Sequence, residues 1–533
     1  MSKPCATSAD SREGSRILKS PPNILFILAD QHNAKVLGHQ GHPDVQTPHL
    51  DRLAAEGVRF DRAICQNPIC TPSRMCFLSG QYAHNHGVYG LSGANPGGLP
   101  TLLGQFRRAG YRTSAMGKIH CPENWIEDDA DVFHDTCGSS IGGRSKAYEE
   151  FLRERGKLEL DDHAGLPEFG EQGIQSMEGR PSPLAFDESQ EGWIAAQTIA
   201  FMKACAAQGR PFFAFAGLPR PHECTSPSEP FWSMYEGRSL TLPPNVEYDR
   251  VAARQAPHLI RMAEQWKTGD WALLEPKTFE AARLRKLRGY LGAVSQVDHA
   301  VGLMTQALRD QGLAENTIVV YSADHGDYAC EHGIMEKAPG ICHDAISRVP
   351  FIWWAPGRFK AGHVAAELVE SVDLAATLCA EAGVARMDTG DGQDLARLLR
   401  GEASPVHRVA VTEFAWSKSL RQGDFRLVVY AREMFPAEYP GGFGELYNLA
   451  DDPWEMRNLF FEPAWREKVA AMKGELLEWL IATTRPVSVL PVNSMRPPPR
   501  IGRDIIDRYH TWTYADGKIG PNEIRSGAGG NYT

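Results

Sequence analysis

The stretch CQNPICTPSRMCFLSGQ, residues 65–81, carries Cys65, Cys70 and Cys76 within twelve residues, and Thr71-Pro72-Ser73-Arg74 follows the middle one. A zinc knot needs closely spaced cysteines with a second pair, which this spacing lacks. Pro72 is tolerated in a first helical turn, so a helix is expected to begin at Cys70 or Thr71. Arg74 then lies one turn along, on the face of Cys70. Cys70 would sit in the positive field of a helix N-terminus beside a guanidinium, which makes a cradle for an oxyanion. Cys65 and Cys76 lack such company and read as small apolar packing residues.

Four more groups of polar residues each follow an apolar run. NILFILA ends in Asp30-Gln31, YRTSAM in Gly117-Lys118-Ile119-His120, PFFAFAGLP in Arg220-Pro221-His222, and TIVVYSA in Asp324-His325-Gly326-Asp327. Asp30, Gln31, Asp324 and His325 offer carboxylate, amide and imidazole donors. Such an oxygen-rich set suits a hard divalent cation such as Ca2+, Mg2+ or Mn2+, and the one imidazole tilts slightly toward Mn2+. Lys118, His120, His222 and Lys337 supply positive charge and transferable protons. A cation ringed by these groups suits a small oxyanion such as sulfate or phosphate. His84 and His86 read as surface or supporting histidines, with reach into the site as the alternative.

Elements must bring these distant groups together. The apolar runs have strand length and no alternation, the pattern of strands buried on both faces. Helical patterns lie between them, at 48–57, 100–110, 193–207 and 279–312, and a further helix is read over 364–383. Strands alternating with helices point to an α/β domain with a mostly parallel sheet, whose ligands bind beyond the carboxyl ends of the strands. After about residue 405 short strands crowd together (VAVTEF, DFRLVVY, GELYNLA) before a helix at 464–483. They read as a smaller antiparallel subdomain. The expected organisation is a polar segment 1–21, a catalytic α/β domain 22–404, a C-terminal subdomain 405–483 and a tail 484–533. The tail is rich in Pro, Gly and Arg and is a candidate arm in a homo-oligomer.

The chain has 533 residues, 42% of them hydrophobic, and a net charge of −10, which suits a large globular protein and argues against a general nucleic-acid binder. The polar start has no apolar signal core, and no window is long and apolar enough for a membrane span. A cytoplasmic protein without a membrane partner is expected, its eleven cysteines reduced.

Cys70-Thr71-Pro72-Ser73-Arg74, continuing to Leu78-Ser79-Gly80, resembles the signature C-x-P-S-R-x-x-x-L-x-G of the type I, formylglycine-dependent sulfatases of the alkaline phosphatase superfamily. PNILFILADQ, GKIH, ADHGD and GELYNLADDPWEMRNL extend the likeness over about residues 22–482. The resemblance implies an alkaline-phosphatase-like α/β sandwich and hydrolysis of a small sulfate ester. It implies that Cys70 is converted to Cα-formylglycine by a formylglycine-generating enzyme and that Arg74 stabilises the hydrated aldehyde. Asp30, Asp324 and His325 align with metal ligands, and Gln31 and residue 70 complete the expected set. Lys118 and His120 match the family's G-K-x-H element, and His222 and Lys337 match groups that hold sulfate and assist the leaving group. Gln31 stands where many members have a second Asp and His325 where many have Asn, as in choline-sulfatase-like and phosphonate monoester hydrolase-like branches. Hydrolysis of a phosphonate monoester or phosphodiester is therefore one alternative, and a non-catalytic anion-binding homologue another.

Overall fold

The computed structural model describes residues 21–91, 95, 97–136, 146–160, 179–222, 225–268, 278–337 and 340–485. The polar N-terminal segment and almost all of the expected tail lie outside these residues.

Fourteen strands occur among the described residues: β1 (Asn23–Asp30), β2 (Val58–Phe60), β3 (Ala63–Ile64), β4 (Arg112–Gly117), β5 (Val132–Asp135), β6 (Phe212–Pro221), β7 (Thr317–Ala323), β8 (Phe351–Trp354), β9 (His363–Ala365), β10 (Val369–Glu370), β11 (Ala410–Glu413), β12 (Ser417–Gln422), β13 (Phe425–Tyr430) and β14 (Gly444–Asn448). Every residue of β1 is buried because the strand runs through the middle of the main sheet, with layers on both faces. Side chains alternate between those layers. Ile24, Phe26 and Leu28 face one core with Phe77, Phe213 and Phe215. Leu25, Ile27 and Ala29 face the other, with residues of the helices Gln190–Ala207 and Phe279–Asp310.

The main sheet has eight strands in the order β5-β4-β6-β1-β7-β8-β2-β9. Pairs β4–β5, β4–β6, β6–β1, β1–β7 and β2–β9 are parallel, whereas β8 runs antiparallel to both β7 and β2. The four apolar runs that end in polar groups are thus the contiguous strands β4, β6, β1 and β7. Their carboxyl ends share one edge, as expected for an open parallel sheet. The β1–β6 register slips after Ala29, which pairs with Leu218, so that Asp30 pairs with Pro221. This irregularity re-aims the end of β6 at the site, and the backbone N–H of His222 donates to the Asp30 carbonyl at 3.2 Å.

A second sheet, β11-β12-β13-β14, is wholly antiparallel. Leu420, Leu427 and Leu446 from it pack with Val469, Met472, Leu476 and Trp479 of the helix Arg466–Thr483, and Cys76 and Tyr82 join that core. Cys65 lies in the core of the main sheet. The helix expected over 364–383 differs: β9 and β10 occupy 363–370, and the helix begins only at Asp373. Val369 and Glu370 pair with Ala63 and Ile64, so tertiary pairing overrides the local helical pattern. β12 had no counterpart in the sequence reading. Five of its six residues are polar (Ser417, Lys418, Ser419, Arg421, Gln422), and it forms by pairing on both sides. Among the described residues no helix is long and apolar enough to cross a membrane.

Two glycines set the end of β4. Gly117 has φ +97°, and a Cβ there would lie 2.0 Å from the Gly217 carbonyl oxygen. A Cβ on Gly217 would meet the Lys118 carbonyl oxygen at 2.1 Å. That close approach lets the Lys118 N–H donate to the Gly217 carbonyl at 2.7 Å, turning Lys118 toward the site. Gly117→Ala should therefore lower stability by about 2–4 kcal/mol, combining overpacking with backbone strain. A urea denaturation midpoint unchanged from the parent chain would contradict this.

Candidate active site

The helix Cys70–Ser79 starts at Cys70 with Pro72 in its first turn and closes at Gly80, whose left-handed backbone (φ 65°) lets its N–H donate to the Cys76 carbonyl. All ten residues are buried, so the polar ones must find partners. Arg74 finds three. Its Nη2 donates to Asp30 Oδ2 at 3.0 Å, its Nε to Asp324 Oδ2 at 2.9 Å and its Nη1 to the Lys118 carbonyl at 2.6 Å. Ser73 Oγ donates to the Asp324 carbonyl at 2.5 Å.

Cys70 projects into the space between these groups. Its Sγ is 3.2 Å from His325 Nε2 and 3.7 Å from Asp30 Oδ1, and the thiol also interacts with His120 and His222. Burial opposes a thiolate there, but Lys337, Lys118 and His325 outweigh it and hold the thiol well below its ordinary pKa. Asp30 is held below the carboxylate range: burial and Cys70 push its pKa up, and Lys118, His222 and Arg74 push it down further. Asp324 moves the other way, because burial and the neighbouring Asp30 outweigh His325 and Arg74. His120 and His222 are both lowered, mainly by burial and in part by Lys118.

Ligand atoms of Asp30, Cys70, Asp324 and His325 all lie within 4.8 Å of one another, and the four residues are buried. Two carboxylates this close carry a like-charge penalty that a cation relieves. His325 Nδ1 donates to the Gly326 carbonyl at 2.9 Å and so turns Nε2 inward. Burial opposes charge on the ring, but Asp324 and Cys70 push its pKa up, and loss of the Nε2 proton would free that lone pair for a cation. The donor set therefore fits a hard divalent ion with one imidazole ligand. Gln31 differs in detail from the sequence expectation. Its amide Nε2 donates to Asp327 Oδ2 at 2.6 Å and its Oε1 accepts from Lys337 Nζ at 2.8 Å, so that oxygen already serves an ammonium.

The cationic groups converge on the same space. Lys118 Nζ is 2.6 Å from Asp30 Oδ2, and Lys337 Nζ is 3.2 Å from His222 Nε2. Gln31 and His120 adopt left-handed backbone conformations (φ 65° and 48°), rare for residues with a Cβ. The Gln31 N–H donates to Asp324 Oδ1 at 3.0 Å, which ties that turn to the neighbouring strand end. Two supporting residues had no assigned role in the sequence reading. Tyr290, on the long helix, donates to the Gln31 carbonyl at 2.8 Å and accepts from the Asn33 N–H at 2.9 Å. Asp327 anchors Gln31 and accepts from the backbone of Ala329 and Glu336. Asp327 was visible beside Asp324, whereas a lone tyrosine in a helix gives no signal. His84 and His86 are engaged elsewhere, with Glu413 and Cys76.

Comparisons with known proteins bear on this geometry. A family model described as Sulfatase matches residues 22–384, and one described as N-sulphoglucosamine sulphohydrolase, C-terminal, matches residues 330–481. The arylsulfatase of Clostridium perfringens is 26% identical over 495 residues, covering 86% of this chain and 94% of its own. The ulvan-active sulfatase of Formosa agariphila is 28% identical over 461 residues, covering 83% and 78%. Among solved structures, the phosphonate monoester hydrolase from Silicibacter pomeroyi has a TM-score of 0.72 at 23% identity, covering 87% of this chain and 96% of its own. At that identity the likeness is one of fold.

Arg74 is the group that makes two buried carboxylates tolerable. Arg74→Met should destabilise the chelator-treated protein by about 3–5 kcal/mol, since it takes the guanidinium from both buried carboxylates and leaves only Asp30 facing Lys118. Arg74→Lys, which keeps the charge and loses the fork, should fall between. Equal melting of all three proteins would refute this account.

Proposed function

Because the chain belongs to the sulfatase family and is a sulfuric ester hydrolase acting on a small sulfated substrate, we propose that residue 70 is its nucleophile after conversion of Cys70 to Cα-formylglycine by a formylglycine-generating enzyme. The observation that carries this reading is the convergence of Cys70, at a buried helix start, with Asp30, Asp324 and His325. Hydrated, the aldehyde would supply one hydroxyl to attack sulfur and a second to allow sulfate to leave. An ordinary serine has no second hydroxyl for that purpose.

We assign the cation to Asp30, Asp324, His325 and residue 70, with Gln31 as the further ligand the family pattern implies and Ca2+ as the first choice of ion. When bound, it would offset the charge of the ester and ease proton loss at the nucleophile. Lys118, His222 and Lys337 hold the sulfate oxygens. Their support is that Lys337 Nζ and His222 Nε2 lie 3.2 Å apart and that Lys118 Nζ reaches Asp30 Oδ2, beside Cys70. His222 or Lys337 delivers the proton to the departing alcohol oxygen, and His120 accepts a proton at residue 70. The interaction of His120 with the Cys70 side chain and its lowered pKa, which leaves a neutral imidazole at pH 7, support that role. Arg74 orients the carboxylates and residue 70 from one helical face.

The phosphonate reading draws on the fold neighbour, whose name gives that activity. Against it, Lys118 and His120 match the sulfatase element. With an aryl sulfate and an aryl phosphonate ester, kcat/KM should be larger for the sulfate; dominance of the phosphonate would overturn the assignment.

Three further outcomes are expected. After co-expression with the maturing enzyme, the peptide containing Cys70 should be about 18 Da lighter than its unmodified form. Cys70→Ser should lower kcat by at least about 10⁴-fold and His120→Ala by about 10²–10⁴-fold. A chelator should abolish turnover and Ca2+ should restore it. An unmodified, fully active thiol protein would sink the formylglycine assignment.

A further inference from the structure

A second group of potential ligands lies outside the active site. His332, in the turn Glu331–Gly333, His343, at the start of the helix Asp344–Ser347, and Glu455, beyond β14, have ligand atoms all within 4.8 Å of one another. His332 and His343 are 0% exposed and Glu455 is 1% exposed. The two rings stack with centroids 4.6 Å apart. His332 Nδ1 meets the Tyr248 hydroxyl at 2.6 Å, and His343 Nδ1 meets the Tyr328 hydroxyl at 3.1 Å. Both Nε2 atoms are buried without a hydrogen-bond partner. Two orphaned imidazole nitrogens in one seam are rare in a folded protein and call for a ligand.

We propose that His332, His343 and Glu455 form a second cation site, of the imidazole-rich kind that takes zinc. The tyrosine hydroxyls hold Nδ1 of each ring; with the proton on Nδ1 and the hydroxyls accepting, both Nε2 lone pairs would be left for the ion. Burial, with neighbouring cationic groups, keeps both rings neutral, as a ligand must be. Glu455 Oε2 is oriented by the Asp344 N–H at 2.9 Å, and its other oxygen pairs with Arg426. Glu445 Oε2 lies 3.6 Å from His343 Nε2 and brings a second carboxylate to the seam. Glu455 and Glu445 bring two carboxylates to the seam, and Arg426, Lys35 and Arg250 lie among the cationic groups around it, so an ion must compete with Arg426 for Glu455.

The site would join two parts of the molecule. His332 belongs to the segment between Asp327 and Lys337, whose Ala329, Cys330, His332 and Glu336 all have positive φ. Such a backbone persists only where its surroundings hold it. Glu455 and Glu445 belong to the C-terminal subdomain. A zinc ion here would pin the segment that carries Lys337 to that subdomain. Its donors differ from those of the active site, where carboxylate oxygens prevail, so the two places should take different ions.

The full-length chain, stripped with chelator and dialysed against zinc with Ca2+ present, tests this by elemental analysis. Parent protein and Cys70→Ala should each retain about one zinc per chain, and His343→Gln should bind it more than about 100-fold more weakly. Zinc should also raise the melting temperature of Cys70→Ala and not of His343→Gln. If His343→Gln fails to fold, Glu455→Gln serves for the same comparison. Retention of zinc by these variants with loss in Asp30→Asn would overturn the proposal and place the zinc in the active site. Failure of the parent chain to retain zinc would overturn it as well. Because Cys70→Ala is inactive on the proposed mechanism, its zinc content is read independently of whether that mechanism holds.

Discussion

The buried bridge of Arg74 between Asp30 and Asp324 is the constraint on which the site depends. β1 and β7 pair in parallel as far as Ala29 and Ala323, so the next residue of each strand is a carboxylate at the same sheet edge. Ordinary sheet hydrogen bonding therefore brings two like charges together in a buried place. At an effective dielectric near 20 their repulsion at close range is of the order of a few kcal/mol, before any desolvation cost. A guanidinium fork reaching both carboxylates offsets it. The same helical turn presents Cys70 on the face of Arg74, so the ion bridge that makes the carboxylates tolerable also fixes the reactive residue among them.

Strain gathers around that bridge. Gln31 and His120 hold left-handed backbones that together cost of the order of 2–6 kcal/mol. Each is over-determined by neighbours. The Gln31 N–H is held by Asp324, its carbonyl by Tyr290, and its side chain by Asp327 and Lys337. Lys118, two residues before His120, is locked by the contact of Gly117 with Gly217. The deep double-sided core under β1 supplies the stability that lets the sheet edge be strained, charged and poorly solvated at once.

Sequence and structure agree best where burial acts locally. The runs ending at Asp30, His222 and Asp324 are largely apolar because their strands are covered on both faces, and each turns polar at the strand end although the polar residues there are themselves largely buried. That change is visible without any neighbour. What was not visible depended on pairing. The segment 363–370 has a helical look, yet it becomes β9 and β10 because Phe60, Ala63 and Ile64 offer edges to it. β12 has five polar residues of six, three of them only partly buried, so it offers no apolar run to read. Tyr290 supports Gln31 from a helix more than two hundred residues away, and no spacing rule links them. His332 and His343 give no signal in the sequence for the same reason: their common seam exists only after the C-terminal sheet has packed.

That packing gives the C-terminal subdomain a part in the chemistry. The segment from Asp327 to Ser347 carries Lys337, and it is gripped from several sides. Asp327 accepts from Gln31, and Glu336 is ion-paired with Lys286 on the long helix. From β13, Arg426 reaches the Cys342 carbonyl and Ser347 Oγ, and Glu455 caps the Asp344 N–H. The segment has little regular structure of its own, so its conformation is set by these outside contacts. Lys337 depends on these contacts, because its ammonium reaches Gln31 Oε1 and His222 Nε2 from this segment. Loosening the seam would thus weaken the hold on the oxyanion before it disturbed Cys70 or the paired aspartates, which rest on the central sheet.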